Sequence, residues 1–288
     1  MTTTLQQFKD YLYQVGYSES TVNMLPACVK EFMEHQQVTD IVHISQEQVR
    51  AFYDWLQTRP LRKRPGALSE MMISHYMYAL RTFFSWAEHT GQIDYNPLSG
   101  MKFTRARQNR REPLKPEETQ QLFAAAATLK ETALLHIFYS CGLRRTEGEA
   151  LNTGDIHYKL QLLYVREGKG ARRRVVPLTE RVSRELEAYY VKERSGTTAR
   201  HVKDSEAFIL NKAGTRMKGS QYNRLLKALT SKAAITKQIT LHHLRHSIAT
   251  HLLQSGMSME YVRDFLGHRF LETTQVYAKP KSEQLKLL

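Results

Sequence analysis

The sequence predicts a mainly α-helical chain with a small antiparallel β-sheet, in which an all-helical N-terminal domain precedes a mixed α+β domain. Three observations carry this expectation. Residues 3 to about 98 repeat apolar side chains at helical spacing. Two β-rich runs beyond residue 159 flank a Gly-Lys-Gly turn. Between the two patterns lies a basic stretch with few apolar residues.

Each element follows from local signals. Leu5, Phe8 and Leu12 share one helical stripe. Ser18 precedes a second series, Val22, Val29, Phe32 and Met33, and Ser45 is placed to cap a helix over 46–58 that carries Val49, Phe52 and Leu56. Arg59-Pro-Leu-Arg-Lys-Arg-Pro-Gly66 interrupts the pattern; a long helix from about Ser69 to Thr90 then stops at Gly91, and Asn96-Pro97 marks a boundary. The expected division is a helical domain over 1–100, a linker over 101–113 and a mixed domain over 114–288. The linker holds Lys102, Arg105, Arg107, Arg110 and Arg111 against one acid, Glu112. Beyond it, Pro116-Glu-Glu starts a helix and 117–140 reads as helical. Leu160–Val165 and Arg174–Leu178 read as a hairpin around Gly168-Lys169-Gly170, and Ala207–Leu210 as a short strand. Helices are expected over 180–194, 220–234, 241–254, 259–266 and 272–278, with Gly256 and Gly267 closing the third and fourth.

Charge narrows the function. Of 288 residues, 42 are Lys or Arg and 28 Asp or Glu, a formal net charge of +14. Up to Pro113 there are 13 basic against 11 acidic residues, and beyond it 29 against 17, so the surplus belongs to the second domain. A surplus of that size favours a polyanionic partner such as nucleic acid. Two cysteines, Cys28 and Cys141, form neither a disulfide framework nor a cysteine-rich zinc site and fit a reducing compartment. The first residues lack a basic segment followed by an apolar one, and no run approaches the roughly 18 apolar residues of a membrane span. A cytoplasmic chain without a membrane anchor is expected.

Four separated motifs hold the chemistry: Gly142-Leu-Arg144-Arg-Thr-Glu147 with Leu151; Gly168-Lys169-Gly170; His242-His-Leu-Arg245-His246; and Leu266-Gly-His268 with Tyr277 nine residues on. Taken singly, each has a plain structural reading. Arg144 and Glu147 fit a helical i,i+3 ion pair worth a few tenths of a kcal/mol. Lys169 fits a turn lysine, His242 a structural hydrogen-bonder, and Tyr277 is one of 15 tyrosines. On a helix, Leu241, Leu244, Ile248 and Leu252 make the buried stripe, with Arg245 on its flank and His242 just beyond it, both at a cleft wall. His242 and His246 have zinc-helix spacing, but His243 stands where H-E-x-x-H needs glutamate, so no metal is expected.

Together the motifs resemble the tyrosine recombinase, or phage integrase, family. The resemblance rests on G-L-R-x-x-E, the G-K-G hairpin lysine, H-x-x-R followed by Ala249-Thr-His-Leu-Leu253, and L-G-H followed by Thr273-Thr-Gln-Val-Tyr277, in the family's order. Chain length is similar to that of the simple Xer-type members. The resemblance implies that Arg144, Lys169, His242, Arg245 and His268 form the catalytic set, that Tyr277 is the nucleophile and that Glu147 orients them. It implies a core-binding N-terminal domain, with Lys63, Arg64, Arg105, Arg107, Arg110 and Arg111 as candidate DNA contacts. It further implies a site-specific recombinase on double-stranded DNA, without metal or cofactor, working as four protomers on two sites through a phosphotyrosyl intermediate and a Holliday junction. The alternative assembly is a hetero-tetramer with a second recombinase. Two positions depart from the pattern: Arg145 and Glu149 stand where a small apolar and an apolar residue are usual. A type IB topoisomerase uses a similar pocket, and a DNA-binding regulator without catalysis would share the charge. The Xer-like length and the Thr-Thr-Gln-Val-Tyr context favour the recombinase.

Overall fold

The computed structural model describes residues 2–61, 65–103, 112–166, 173–195 and 203–267. The chain divides into two compact units, Met1–Arg110 and Arg111–Leu288.

The first unit is built from α1 (Thr2–Gln14), α2 (Glu19–His35), α3 (Gln46–Thr58) and α4 (Glu70–His89). Serines open three of them. Ser18, Ser45 and Ser69 each accept a hydrogen bond from a backbone N–H in the first turn, and Gln48 returns the bond to Ser45. The helical stripes meet in an aromatic core, where Phe8, Phe32, Phe52, Phe83 and Phe84 are fully buried and Phe32 meets Phe52 edge-on at 5.1 Å. Behind the 59–66 loop, Arg59 pairs with Glu31, donates to the Tyr76 hydroxyl at 2.9 Å and lies over the Trp55 ring. The backbone bond from Leu61 N–H to Gly66 O closes the loop's base. Met101 and Phe103, the first part of the expected linker, pack against this core.

Among the described residues, the first buried one of the second unit is Leu114. Helices α5 (Pro116–Ala125) and α6 (Leu129–Leu135) lead into a π-helical turn, His136–Ser140. The sequence predicts one helix over 117–140; the structure breaks it at 126–128. The cause is a capping box: Thr128 Oγ1 accepts from Glu131 N, and the Glu131 carboxylate accepts from the N–H groups of Ala127 and Thr128. Next come α7 (Arg145–Ala150), a 3₁₀ turn, and strands β1 (Ile156–His157), β2 (Leu162–Val165) and β3 (Arg174–Pro177). The strands form an antiparallel sheet in the order β1-β2-β3, with Leu163 opposite Val176 and Val165 opposite Arg174. The hairpin is as expected, although β2 starts at Leu162 because a turn with left-handed Gln161 occupies 158–161. β1 was not legible in the sequence, being two residues long.

Helix α8 (Glu180–Ala188) runs into a second π-helical turn, Tyr189–Arg194. Ala207–Leu210 is fully buried but makes single bridges to Asn152 and Arg216 instead of a strand, because its two ends pair with different segments. Helices α9 (Gly219–Lys232), α10 (Leu241–Gln254) and α11 (Met259–Leu266) complete the described unit. The predicted helix over 272–278 lies outside the described residues. Helix α10 also holds the unit's entry: Ser247 Oγ accepts Leu114 N–H at 2.8 Å, and His251 Nε2 donates to Leu114 O at 2.8 Å. That bond fixes the His251 tautomer, so its Nδ1 accepts from Tyr139 O–H, also 2.8 Å. No described helix is long and apolar enough to cross a membrane.

Removing the Thr128 cap should cost about 1 kcal/mol. Glu131→Ala should cost more than Thr128→Ala in urea denaturation, since Glu131 also binds Lys232 of α9 at 3.0 Å. Equal losses would mean that the carboxylate adds nothing beyond the hydroxyl cap.

Candidate active site

The π-helical turn delivers the chain into Cys141-Gly142-Leu143, and Gly142 takes φ +58° to reverse direction. A Cβ there would lie 2.9 Å from Leu266 Cδ2, so glycine also admits α11 against the turn. Arg144 follows as the N-cap of α7 in extended backbone, which places Glu147 at the third helical position. There the Glu147 carboxylate accepts the Arg144 backbone N–H at 2.7 Å and the Arg144 guanidinium at 2.7 Å.

Glu147 collects more than this local pair. Its side chain is fully buried, and Arg174 of β3 grips it with two bonds, Nη1 to Oε1 at 2.9 Å and Nη2 to Oε2 at 2.8 Å. Arg245 of α10 stands 3.7 Å from Oε2. Burial alone would raise the carboxyl's pKa; hydrogen bonds and charge from Arg174, then bonds from Arg144, overturn that and hold it near 2.

The same three arginines meet the end of α11. Arg174 Nε donates to Phe265 O at 3.0 Å, Arg245 Nη2 to Leu266 O at 2.6 Å and Arg144 Nη2 to Gly267 O at 2.9 Å. Arg245 Nη1 also donates to Gly142 O. Three consecutive carbonyls therefore each receive one guanidinium, and Gly267 ends the helix at φ +65°. A cavity of about 980 Å³ opens between α7 and the sheet, with Arg166, Arg173 and Arg174 on its wall.

The chain has relatives. A Phage integrase family model matches residues 112–284, and the model of the Phage integrase N-terminal SAM-like domain matches residues 5–91. The chain belongs to the phage integrase family. This tyrosine recombinase is 31% identical over 230 residues to a Listeria innocua protein named tyrosine recombinase XerD, covering 77% of this chain and 76% of the relative. It is 30% identical over 279 residues to a tyrosine recombinase of Pseudothermotoga lettingae, covering 96% and 93%. Its fold matches that of the Tn1549 transposon integrase solved in complex with circular intermediate DNA, at TM-score 0.76 and 18% identity, covering 98% and 97%. As a family member it is a site-specific recombinase, an enzyme that cleaves and rejoins DNA.

Of the recombinase's expected site residues, the structure brings Arg144, Glu147 and Arg245 together. Arg245 lies deeper than its predicted flank position: it is 2% exposed, because Gly142 O and Leu266 O draw the guanidinium inward. The buried stripe of α10 shifts accordingly. Ile248 and Leu252 are only half-buried, whereas His243, Ser247, Ala249 and Thr250 are buried. His242 precedes Arg245 by one turn and lies on the exposed side. His243 instead folds back on its own helix end, with Nδ1 3.2 Å from the Thr240 backbone N. Lys169, His268, Tyr277, Lys63, Arg64, Arg105, Arg107, Arg110 and Arg111 lie outside the described residues.

Sequence reasoning missed Arg174, treated only as part of a β-run. The signal was the period of two: Val176 faces the core, so Arg174 shares its face while Val175 points to solvent. The two departures from the family pattern prove to be partners. Arg145 Nε lies 3.5 Å from Glu149 Oε1 one turn later, and both side chains pack over Gly219, where a Cβ would meet them at 2.3–2.4 Å.

Because Glu147's folded pKa lies below the usual carboxylate value, its stabilising contribution is complete above about 4.5 and is lost as pH falls through about 2. Glu147→Gln should therefore destabilise the protein at neutral pH by about 3–5 kcal/mol, the scale for breaking a buried pair. Urea denaturation at neutral and acid pH should show the gap between variant and wild type closing as pH drops. A gap that is independent of pH would remove the ion pairs as its cause.

Proposed function

We propose that this recombinase cleaves DNA through a covalent bond between Tyr277 and a backbone phosphate held by Arg144 and Arg245. The convergence of those two arginines on one buried carboxylate supports the reading. One carboxylate cannot neutralise three guanidinium groups, so positive charge is left over for a phosphate. A phosphodiester repels nucleophiles with its anionic oxygens, and planar guanidinium forks are suited to neutralise them and the charge of the crowded transition state. Glu147 orients the forks. His242, His268 and Lys169 complete the cationic set.

A tyrosine hydroxyl ordinarily ionises near a pKa of about 10, and a cationic pocket favours its phenolate. The Tyr277 oxygen bonds to phosphorus while the bond to the DNA 5′-oxygen breaks, and Lys169 gives that oxygen a proton. The product is a 3′-phosphotyrosyl ester and a free 5′-hydroxyl. A 5′-hydroxyl from the partner strand then attacks the ester and releases Tyr277. The ester conserves the bond energy, so no ATP is consumed.

The helical first unit serves as the core-binding domain over 1–100. The basic linker over 101–113 tracks the phosphate backbone through Arg105, Arg107, Arg110 and Arg111, and Lys63 and Arg64 of the 59–66 loop contact DNA. Residues 114–288 form the catalytic domain. Four protomers, as a homo-tetramer or a hetero-tetramer with a second recombinase, exchange strands between two specific sites through a Holliday junction. The work takes place in the cytoplasm.

Tyr277→Phe should bind its site with unchanged affinity and form no covalent adduct on a nicked suicide duplex, while Arg144→Ala should lose far more cleavage than binding. An adduct on the Phe variant would remove Tyr277 from its role. Lys169 is tested by replacing the bridging 5′-oxygen with sulfur, whose thiolate leaves without a proton. Lys169→Ala should be nearly inert on ordinary DNA and largely rescued on the sulfur substrate, whereas Arg144→Ala should not be rescued comparably. Equal defects on both substrates would leave Lys169 an electrostatic part only.

A further inference from the structure

The proposed catalytic residues sit on separate pieces of the chain: Arg144 at the start of α7, Lys169 in the β2–β3 connection, and His268 and Tyr277 beyond α11. Arg174 bonds from β3 to both α7 and the end of α11. It belongs to β3, five residues after Lys169, and lies opposite Val165 in the innermost described pair of the hairpin. It takes both oxygens of Glu147, in the first turn of α7. Its remaining donor group takes Phe265 O at the end of α11, 3.0 Å away.

We infer that Arg174 is a positioning residue for strand cleavage, holding Glu147, the β3 end of the hairpin and the last turn of α11 in one register. The inference rests on the assignment of Arg144 and Arg245 as the phosphate grip. A buried arginine–glutamate pair by itself often contributes little to stability and has no further role. Three features separate this one. The two-pronged bond leaves Glu147 a single orientation, the one in which it serves both the backbone and the guanidinium of Arg144. Phe265 O is the first of three successive carbonyls whose other two are held by Arg245 and Arg144, so Arg174 sets the register of the turn that those arginines read. Gly267 makes room for it: a Cβ at that position would lie 3.0 Å from Arg174 Cδ. Any side chain between Leu266 and His268 would therefore require the Arg174 side chain to give by a few tenths of an ångström.

Arg174 never needs to touch DNA for this. It acts by fixing the distance between the Arg144–Arg245 pair and the point where the segment bearing His268 and Tyr277 begins. Placement of that kind matters to a transition state far more than to ground-state binding.

The test uses the full chain and a nicked duplex whose site is selected from a random-sequence library by covalent capture on the wild-type protein. Arg174→Lys retains the charge but offers neither the fork nor the additional Nε donor. Its affinity for the duplex should stay within about 3-fold of wild type while single-turnover cleavage slows by about 100-fold, the scale of a small misplacement at a reacting centre. Combined with Arg144→Lys, the two defects should be less than multiplicative, because both disturb the same placement. Cleavage by Arg174→Lys within about 3-fold of wild type overturns the inference. So does a loss that merely follows weakened binding, or a multiplicative double variant. If Arg174→Lys does not fold, Arg174→Met with Glu147→Gln removes both buried charges together and carries the same expected split between binding and cleavage. Arg144→Ala run alongside separates the two readings. Normal cleavage by that variant overturns the phosphate grip itself, and with it this inference. Loss there with normal cleavage by Arg174→Lys overturns only the role of Arg174.

Discussion

Burying a carboxylate costs several kcal/mol unless cations replace the lost water. Glu147 is buried completely, and the groups that compensate it come from α7, β3 and α10. Elements far apart in sequence must therefore arrive together, since none of the arginines alone satisfies the carboxylate. The arrangement is also unbalanced. Three guanidinium groups share one full negative charge, and the remainder is offset by main-chain oxygens at the end of α11, where the helix presents its partially negative pole. Carbonyl oxygens solvate a cation without neutralising it. The surplus positive charge of the cluster thus follows from the folding solution itself.

The local devices around this centre serve closeness of approach. A π-helical turn shifts the chain's register before Gly142, a position such turns favour near functional sites. Gly142 then admits α11 against the turn and offers its carbonyl to Arg245, and Gly267 closes α11 beneath Arg174. Helix α10 works in two directions. Arg245 reaches into the centre, while Ser247 and His251 hold both polar groups of Leu114, the entry to the unit. A shift of that helix moves the entry and the arginine together.

The helical first unit was legible because its signals are local. Serine caps, apolar stripes and the breaks at Gly66 and Gly91 act within a few residues, and the helices begin and end where those signals stand. Where reading failed, a competing interaction was equally local but overlooked, as with the Thr128–Glu131 box, or was supplied by tertiary pairing, as with Ala207–Leu210. The departures at Arg145 and Glu149 looked unrelated in the sequence. Helical periodicity makes them one turn apart, but only the approach of α9 through Gly219 explains why both are accommodated.

By itself the sequence carried the family's motifs in the family's order: an arginine followed three residues later by a glutamate, a glycine-flanked lysine, a histidine three residues before an arginine, and a late tyrosine. It also determined that Glu147 lies one turn from Arg144. Only the tertiary structure decided that this short-range pair is the hub of a buried cluster, that Arg245 lies in the interior and not at a cleft wall, and that Arg174 belongs to the centre at all. The reason is physical. Periodicity reports which face of an element is buried, whereas the partner waiting on that face, here a carboxylate and the last carbonyls of a helix, is set by contacts between segments that no local pattern encodes.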